Sequence, residues 1–315
     1  MAGIRWWCDS IQVDWISAPM KVQAIVNPVS GRSSSARLLT RVGAMLDRQG
    51  DHLSVRLTQG PGDAIRLAAQ VADDTDIVLA VGGDGTVREV AEGLIESRKP
   101  LAVLPGGTEN LVARQLGMRP NARCVFEALT AGRIVESDVG RVNGRRFLVV
   151  SGVGFDAEVV DRLAAARGGH ITHIDYFWPL WRTFLTHRFP RLRVVVDDQV
   201  LFQGHAMTFV GIQPRYSVGL RILRQAQPDD GLLDVCVYPC RSRARLLGHA
   251  YRTFLRRHVG RGGVLYQQGR TVEITSPDRA SVQADGDRAG ELPARFAVIP
   301  RAIRFLVHPT RASNG

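Results

Sequence analysis

The sequence contains almost no lysine: Lys21 and Lys99 are the only two in 315 residues. Neither lies in a G-x-x-x-x-G-K-[ST] pattern, which excludes a P-loop nucleotide site. The chain also lacks any uninterrupted apolar run of about 18 residues, so we expect a soluble or peripherally bound protein rather than one that spans a membrane. Negative charge is scarce as well, because 41 basic residues against 30 acidic ones give a net charge of +11.

Arginine carries nearly all of this positive charge. A basic surface favours phosphate-bearing ligands or an anionic membrane as partners. Nucleic acid is the competing explanation, but no helix-turn-helix, zinc-finger or aromatic RNA-binding signature accompanies the arginines, so we expect no nucleic-acid partner. A solvated basic surface without a specific partner remains an alternative.

The four cysteines, Cys8, Cys124, Cys236 and Cys240, are scattered. Their spacing matches neither a disulfide framework nor a zinc site, which is typical of reduced thiols in a cytoplasmic protein. Cys236 and Cys240 could form half of a metal site, but their strand-like flanks favour ordinary packing.

Two short glycine-rich stretches are the most informative feature of the chain. They are Gly82-Gly83-Asp84-Gly85-Thr86 and Pro105-Gly106-Gly107-Thr108-Glu109-Asn110. Each follows a strand-like run and leads into a helix-patterned segment, which is the context of a phosphate site. Glycine lets backbone N–H groups approach an anion, and the next helix N-terminus offers further donors. The pair predicts a cradle for nucleotide phosphates.

The pattern of segments predicts two domains. Short apolar strands alternate with helical stretches up to about Thr130, which indicates an α/β domain (residues 20–137) with a mostly parallel sheet. Later segments are mainly strands separated by turns, so a largely antiparallel β domain is expected at residues 138–304. Residues 1–19 read as a loose extension, although Met20 is an alternative start. Trp6, Trp7 and Trp15 could touch a bilayer interface.

Two helical insertions are predicted in the β domain, at about residues 174–189 and 243–257. The first is rich in aromatic residues beside arginines, and the second is basic and amphipathic. Such helices could pack on the β domain, expose a solvated charged face, or contact an anionic membrane.

Six motifs occur in the order seen in one known family. They are Asn27-Pro28-Val29-Ser30-Gly31, Gly82 to Val90, Pro105 to Asn110, Gly152-Val153-Gly154-Phe155-Asp156-Ala157, Asp229-Asp230-Gly231-Leu232-Leu233-Asp234 and Asp285-Gly286-Asp287. From about Val22 to Val307, the chain thereby resembles the diacylglycerol kinase catalytic domain superfamily, which includes sphingosine and ceramide kinases and bacterial soluble lipid kinases.

The resemblance implies a Rossmann-like α/β domain, a β-sandwich domain, an active site in the cleft between them and a C-terminal tail (about residues 305–315) that returns to the first domain. It also implies an enzyme that uses ATP and Mg²⁺ to phosphorylate the hydroxyl of diacylglycerol or a similar lipid. Such an enzyme would be cytoplasmic and bound peripherally to the inner face of the membrane.

The resemblance places nucleotide binding on a set of residues near the two glycine stretches: Asn27, Thr58, Gly82, Gly83, Asp84, Gly85, Thr86, Gly106, Gly107, Thr108 and Asn110. Asp84 would act in catalysis or organise the metal, although an aspartate there can simply stabilise the turn. Many relatives carry an acid after the equivalent of Asn110, whereas this chain has Leu111, so that acid is missing here.

Two further carboxylates have roles implied by the resemblance. Asp287 would be the general base that deprotonates the acceptor hydroxyl. The family commonly has Asp-Gly-Glu here, so the carboxylate of Asp287 is one methylene shorter, and a polar β-turn is the alternative. Asp230 would bind a structural Mg²⁺ together with the carbonyls of Gln227 and Leu232. A simple Asp-Gly turn competes with that interpretation.

Two other functions remain open from the sequence. NAD kinase shares the Gly-Gly-Asp-Gly-Thr stretch, although the second glycine stretch and the 229–234 motif fit lipid kinases better. A non-catalytic lipid- or nucleotide-binding regulator would retain the cradle without turnover. The acceptor lipid and the oligomeric state, for which a homodimer is one option, are left open.

Overall fold

The computed structural model describes residues 10–12, 19–30, 32–165, 177–216 and 220–309. The chain divides into two compact units, of which the first comprises Met1–Ser137 and Arg301–Gly315 and the second Asp138–Pro300. Trp6, Trp7, Trp15 and residues 174–176, all singled out above, lie outside the described residues.

The first unit alternates strands and helices. Its elements are β1 (Ser10–Gln12), β2 (Lys21–Val26), α1 (Arg32–Asp47), β3 (His52–Leu57), α2 (Asp63–Ala69), β4 (Ile77–Gly82), α3 (Asp84–Leu94), β5 (Leu101–Pro105), α4 (Leu111–Gln115), α5 (Ala122–Ala131), the start of β6 (Arg133–Val142) and the end of β16 (Ala294–Val307). Neighbouring strands in the order β3-β2-β4-β5-β16 run parallel.

Burial explains the sequence of this parallel sheet. Every residue of β4 and β5 is buried, and β2 is exposed only at Lys21. Strands covered on both faces need continuous apolar runs rather than alternation, which is the pattern seen here. β3 lies at the edge of the sheet and is mostly exposed.

Both ends of the described chain contribute to this unit. Ser10 of β1 lies opposite Val135 of β6, although the sequence pattern did not predict this strand. After β16, the His308 N–H donates to the Leu116 carbonyl at 3.1 Å and its ring contacts Glu127.

The second unit consists mainly of strands. Its elements are the end of β6, β7 (Arg145–Phe147), β8 (Val150–Val153), α6 (Phe155–Ala165), α7 (Phe177–Thr186), β9 (Arg191–Val196), β10 (Gln199–Gly211), β11 (Leu233–Pro239), α8 (Arg243–Phe254), β12 (Leu265–Gly269), β13 (Thr271–Thr275), β14 (Ser281–Ala284), β15 (Asp287–Glu291) and the start of β16.

These strands form two antiparallel sheets that share β10. Its first half pairs with β9, while Ala206–Gly211 pairs with β11 and Thr208–Gly211 pairs with β8. Side chains from both sheets fill one core that contains Phe147, Val194, Val235 and Phe296, all at most 1% exposed. The predicted fold class, an α/β domain followed by an antiparallel β-sandwich, is confirmed.

The predicted helical insertions correspond to α7 and α8 within the described residues. A third helix, α6, begins directly after Gly154 and was not predicted as a helix. Its first residues belong to the Gly-Val-Gly-Phe-Asp-Ala motif, whose glycines obscured the helix start.

Packing of α2 against α3 yields a test of this fold. A Cβ on Gly93 would lie 2.4 Å from the Ile65 carbonyl oxygen and 2.6 Å from the Ala68 Cβ. We expect Gly93→Ala to lower the free energy of unfolding by about 1–3 kcal/mol, because overpacking forces the helices apart. Urea unfolding followed by circular dichroism measures this change.

The matched control is Gly248→Ala in α8. A Cβ there would meet only the tip of the Arg252 side chain at 3.3 Å. The higher helix propensity of alanine should therefore leave stability unchanged or raise it by up to about 1 kcal/mol. Equal effects of the two substitutions would contradict the packing described for α2 and α3.

Candidate active site

The two predicted glycine stretches lie side by side in the first unit. Adjacent parallel strands β2, β4 and β5 place Val26, Val81 and Leu104 in register, so the loops that follow them leave the sheet at one edge. The Gly106 N–H donates to the Gly82 carbonyl at 2.8 Å. This carboxyl edge is where α/β sheets bind ligands.

Contact between the stretches leaves no room for side chains. A Cβ on Gly107 would lie 2.7 Å from the Gly83 Cα, and one on Gly82 would lie 2.5 Å from the Thr86 Oγ1. The surface formed here is therefore main chain, and α3 begins directly after it at Asp84. Backbone donors followed by a helix N-terminus suit the phosphates of a nucleotide, so this cradle fits the predicted ATP.

Asn27 connects β2 to the first glycine stretch. Its side-chain amide donates to the Thr86 Oγ1 at 3.2 Å, and its backbone N–H donates to the Val81 carbonyl at 3.0 Å. Thr58 follows β3, where its N–H donates to the Val26 carbonyl at 2.9 Å. Asn27 thus joins the cradle through a direct contact, whereas Thr58 lies beside the end of β2.

The second stretch is closed by Asn110. This residue has the left-handed backbone conformation (φ 50°), and its amide both accepts from the Gly107 N–H at 2.8 Å and donates to the Gly107 carbonyl at 2.7 Å. Thr108 at the tip of the loop is exposed. The side chain of Asn110 therefore shapes the loop, and Thr108 remains accessible to a ligand.

Asp84 links the two stretches. The Val112 N–H at the start of α4 donates to its Oδ1 at 3.2 Å. Burial raises the pKa of this carboxyl above its ordinary value, while backbone N–H groups of residues 110–112 oppose that rise. This contact ties Asp84 to the start of α4 rather than to its own turn, and a role toward metal or phosphate stays a prediction.

Sequence reasoning missed Ser35 in the first turns of α1. Its side chain is buried, and its Oγ lies 2.8 Å from the position that a Gly106 Cβ would take. The serine run that follows the Asn-Pro-Val-Ser-Gly motif was the available signal.

In the second unit, Asp285 and Gly286 form the two-residue turn between β14 and β15. Their φ values of 50° and 81° match a type I′ hairpin, for which Asp-Gly is a preferred sequence. The Asp285 carboxylate accepts three backbone N–H groups, from Leu148 at 2.6 Å and from Val149 and Val150 at 3.0 Å. Asp285 is thus a structural anchor of the hairpin.

Asp287 is the first residue of β15. Its Oδ2 accepts from Arg145 Nη2 at 2.8 Å, and both side chains are about one-third exposed. The Arg145 guanidinium fixes the orientation of a carboxylate that solvent still reaches. This geometry is compatible with a general base.

A further acid supports the same hairpin. Asp156 of α6 accepts from the Tyr216 hydroxyl and from Gln283 Nε2, each at 2.8 Å. The other end of the Gln283 amide accepts from the Gly286 N–H at 2.9 Å. Burial raises the pKa of Asp156 to about 6. This hydrogen-bonded series connects α6 to the turn that precedes Asp287.

The predicted metal loop is held by Asp138, a buried carboxylate that sequence reasoning missed. Asp138 accepts from the Gly231 N–H at 2.7 Å and donates its own N–H to the Pro228 carbonyl at 2.6 Å. Asp230 accepts from the Leu232 N–H at 3.0 Å, which is the simple turn considered above.

Two acids in and beside this loop are partly withdrawn from solvent. Burial raises the pKa of Asp230, and burial raises the pKa of nearby Asp234 to about 7. Among the described residues, no group of three or more His, Cys, Asp or Glu side chains could hold a metal. The Mg²⁺ site expected from Asp230 with the carbonyls of Gln227 and Leu232 stays a prediction, since Mg²⁺ can be bound through a single carboxylate and other oxygens.

Comparison with known proteins identifies the family. A family model described as the diacylglycerol kinase catalytic domain matches residues 21–142, and one described as the YegS C-terminal NAD kinase beta sandwich-like domain matches residues 149–307. A diacylglycerol kinase from Mycobacterium tuberculosis is 31% identical over 295 residues, which cover 91% of this chain and 94% of the relative. The chain belongs to the diacylglycerol kinase family.

Other relatives agree. A diacylglycerol kinase of Bacillus subtilis is 26% identical over 93% of this chain and 98% of its own length. A solved diacylglycerol kinase structure from Bacillus anthracis has a TM-score of 0.68 at 22% identity, covering 94% of this chain and 99% of that chain. That structural likeness supports the fold.

Family membership confirms the predicted resemblance and the prediction of a kinase enzyme. No helix in the described part of the chain is long and apolar enough to cross a membrane.

Because the two glycine stretches approach so closely, adding one methyl group at Gly107 should weaken nucleotide binding. Gly107→Ala should weaken ATP binding about tenfold or more, because moving the loops apart costs backbone hydrogen bonds to charged phosphate. Isothermal titration calorimetry with ATP measures the affinity. Gly60→Ala is the control, since a Cβ at Gly60 meets open space; equal affinities of the two variants would contradict the cradle.

The raised pKa of Asp156 predicts a pH-dependent stability. Its usual pKa is 3.8, so between about pH 4 and pH 6 the carboxyl ionises in the unfolded chain but stays protonated in the folded one. The free energy of unfolding therefore falls across this range and levels off above it. From pH 4 to pH 7, the free energy of unfolding of the wild type should fall by roughly 2 kcal/mol relative to that of Asp156→Asn. Urea unfolding at each pH measures the difference, and a constant difference would contradict the prediction.

Proposed function

We propose that this chain is an ATP-dependent lipid kinase that transfers the γ-phosphoryl group of ATP to the free hydroxyl of diacylglycerol or a similar lipid. The observation that carries the proposal is the main-chain cradle formed by Gly82, Gly83, Gly106 and Gly107, in a chain that belongs to the diacylglycerol kinase family.

Residues 20–137, with the tail at 305–315, are proposed as the nucleotide-binding domain. Backbone N–H groups of the cradle and the N-terminus of α3 would bind the phosphates, with Asn27, Thr58 and Thr108 at its border. Phosphoryl transfer depends mainly on positioning and charge neutralisation. The fixed backbone dipoles of the cradle would position the phosphates and meet part of their charge without a lysine.

Residues 138–304 are proposed as the lipid-binding domain, and Asp287 as its general base. The Asp287 carboxylate would accept the proton of the acceptor hydroxyl as the oxygen attacks the γ-phosphorus, while the bond from that phosphorus to the bridging oxygen breaks and ADP leaves. The ion pair with Arg145 and the Asp285 anchor hold this carboxylate in one orientation. A positioned base typically contributes a factor of about 10²–10⁴ to the rate.

Two carboxylates, Asp84 and Asp230, are proposed to bind or orient Mg²⁺. When bound, the metal supplies positive charge that neutralises the phosphates. Asp84 would orient toward it from the first glycine stretch, and Asp230 would hold a structural ion with the carbonyls of Gln227 and Leu232. The acceptor lipid implies action at the inner face of an anionic membrane.

The first experiment incubates the purified chain with γ-labelled ATP, Mg²⁺ and mixed micelles that contain diacylglycerol, ceramide or sphingosine. A parallel reaction contains NAD. Label in the diacylglycerol extract is the expected result. Label in NADP instead would favour NAD kinase, and ATP binding without transfer to any acceptor would favour a non-catalytic regulator.

Substitution of the base tests the assigned role. Asp287→Asn should lower kcat by about 100-fold or more, with the melting temperature nearly unchanged, because the partly exposed side chain contributes little packing. Asp198→Asn, an exposed acid in the β9–β10 turn, is the matched control. Turnover like that of the wild type in folded Asp287→Asn would sink the assignment.

Asp84→Asn separates the two interpretations of Asp84. Its amide oxygen can still accept from the Val112 N–H, so thermal stability should be retained. If Asp84 organises the metal, kcat should fall at least tenfold and the Mg²⁺ concentration for half-maximal activity should rise. Unchanged values of both would leave Asp84 with only its structural contact.

A further inference from the structure

Two adjoining helices of the second unit expose apolar stripes. On α7, Trp178, Trp181 and Leu185 follow i, i+3, i+7 spacing and are 46–66% exposed. On α8, Leu247, Tyr251 and Phe254 follow i, i+4, i+7 spacing and are 57–72% exposed. Residues at these spacings share one face of a helix.

The opposite faces of the same helices already provide their packing. Thr183 of α7 is fully buried, and so is His249 of α8, whose ring contacts Tyr238. Thr253 of α8 hydrogen bonds to the Tyr238 hydroxyl. The exposed stripes are therefore not needed to attach α7 and α8 to the β-sandwich.

Arg243 joins the two helices. Its Nε donates to the Phe184 carbonyl at 3.0 Å, and its Nη2 donates to the Leu185 carbonyl. Beside this junction lies a cavity of about 800 Å³. Three arginines and two histidines contribute to its wall, which contains no acidic residue: His187, Arg188, His205, Arg241 and Arg243.

The surrounding sequence is strongly basic. Between Asp234 and Glu273 the chain has eight arginines and no acidic residue, and residues 177–196 also lack acids. His187, which lines this cavity, contacts Glu158 through Nδ1 at 2.5 Å, and Glu158 also accepts from Arg162 at 2.6 Å. Glu158 is therefore already paired with two basic side chains.

We propose that the exposed stripes of α7 and α8 and the basic cavity at their junction, together the α7–α8 face, dock on a bilayer that contains anionic phospholipid. Tryptophan and tyrosine side chains favour the membrane–water interface, and guanidinium groups bind phosphate with paired hydrogen bonds. The apolar stripes therefore suit the membrane–water interface, and the basic cavity, whose wall contains no acidic residue, suits the anionic headgroups. The inference rests on the proposed function only in taking the acceptor to be a membrane lipid.

Vesicle binding tests the α7–α8 face without ATP or an acceptor lipid. The full chain is sedimented with vesicles of phosphatidylcholine alone and with vesicles of phosphatidylcholine and phosphatidylglycerol at about 70:30. We expect binding to the anionic vesicles that weakens as salt is added, since the surface potential is screened. No binding of the wild type to anionic vesicles would overturn the proposal.

Two paired variants locate the contact. Arg188→Gln with Arg241→Gln should weaken partition onto anionic vesicles by roughly 25-fold, about fivefold for each arginine. Trp181→Ser with Phe254→Ser should weaken it at least tenfold. Matched controls are Val200→Ser and Arg295→Gln, exposed positions of the same unit outside this face. Variants that bind like these controls would overturn the proposal.

Two further measurements distinguish a bilayer from the other possible ligands of the α7–α8 face, free phosphate and a second copy of the chain. If inorganic phosphate binds to the wild type at this cavity while vesicles do not, the cavity is a site for free anions and the proposal is wrong. If light scattering shows a dimer that Trp181→Ser with Phe254→Ser dissociates, the face is a self-interface and the proposal is also wrong. Phosphorylation of a water-soluble short-chain diacylglycerol reports on the proposed function separately, since it needs no vesicle.

Discussion

The close approach of Gly83 and Gly107 is the constraint on which the rest of the first unit's candidate site depends. It exists because β4 and β5 are adjacent and end in register, and because neither loop carries a side chain at the contact. The other contacts of the site maintain this approach: Asn110 closes the second loop onto Gly107, and Asp84 reaches Val112 across the gap. No side chain fits at this contact, so the two loops present backbone groups there.

In the second unit, two acids that are two residues apart, Asp285 and Asp287, make different contacts. The Asp285 carboxylate accepts three backbone N–H groups, whereas Asp287 pairs with an arginine and is partly exposed to solvent. Asp285 therefore anchors the hairpin that carries Asp287, the proposed base, and a base must be held within hydrogen-bond distance of its proton. Gln283 extends this support, because its amide bonds to Asp156 at one end and to the hairpin at the other.

Features set by local patterns could be predicted from the sequence, and those set by distant partners could not. Continuous apolar runs predicted β4 and β5, and strand-then-glycine context predicted the cradle. The different roles of Asp285 and Asp287 depend on N–H groups and an arginine about 140 positions earlier in the chain, which spacing alone cannot reveal. For the same reason Asp138 and Ser35 were missed. β1 was missed because three residues carry too little pattern to indicate a strand.

Strand β10 has a consequence for how the second unit comes apart. Its thirteen residues belong first to one sheet and then to the other, without a loop between the two parts. Opening β10 would therefore remove an edge pairing with β9 from one sheet and the pairings with β8 and β11 from the other. Amide hydrogen exchange in the two sheets should therefore be governed by a single cooperative opening. The sandwich then behaves as one foldon rather than as two sheets that open independently.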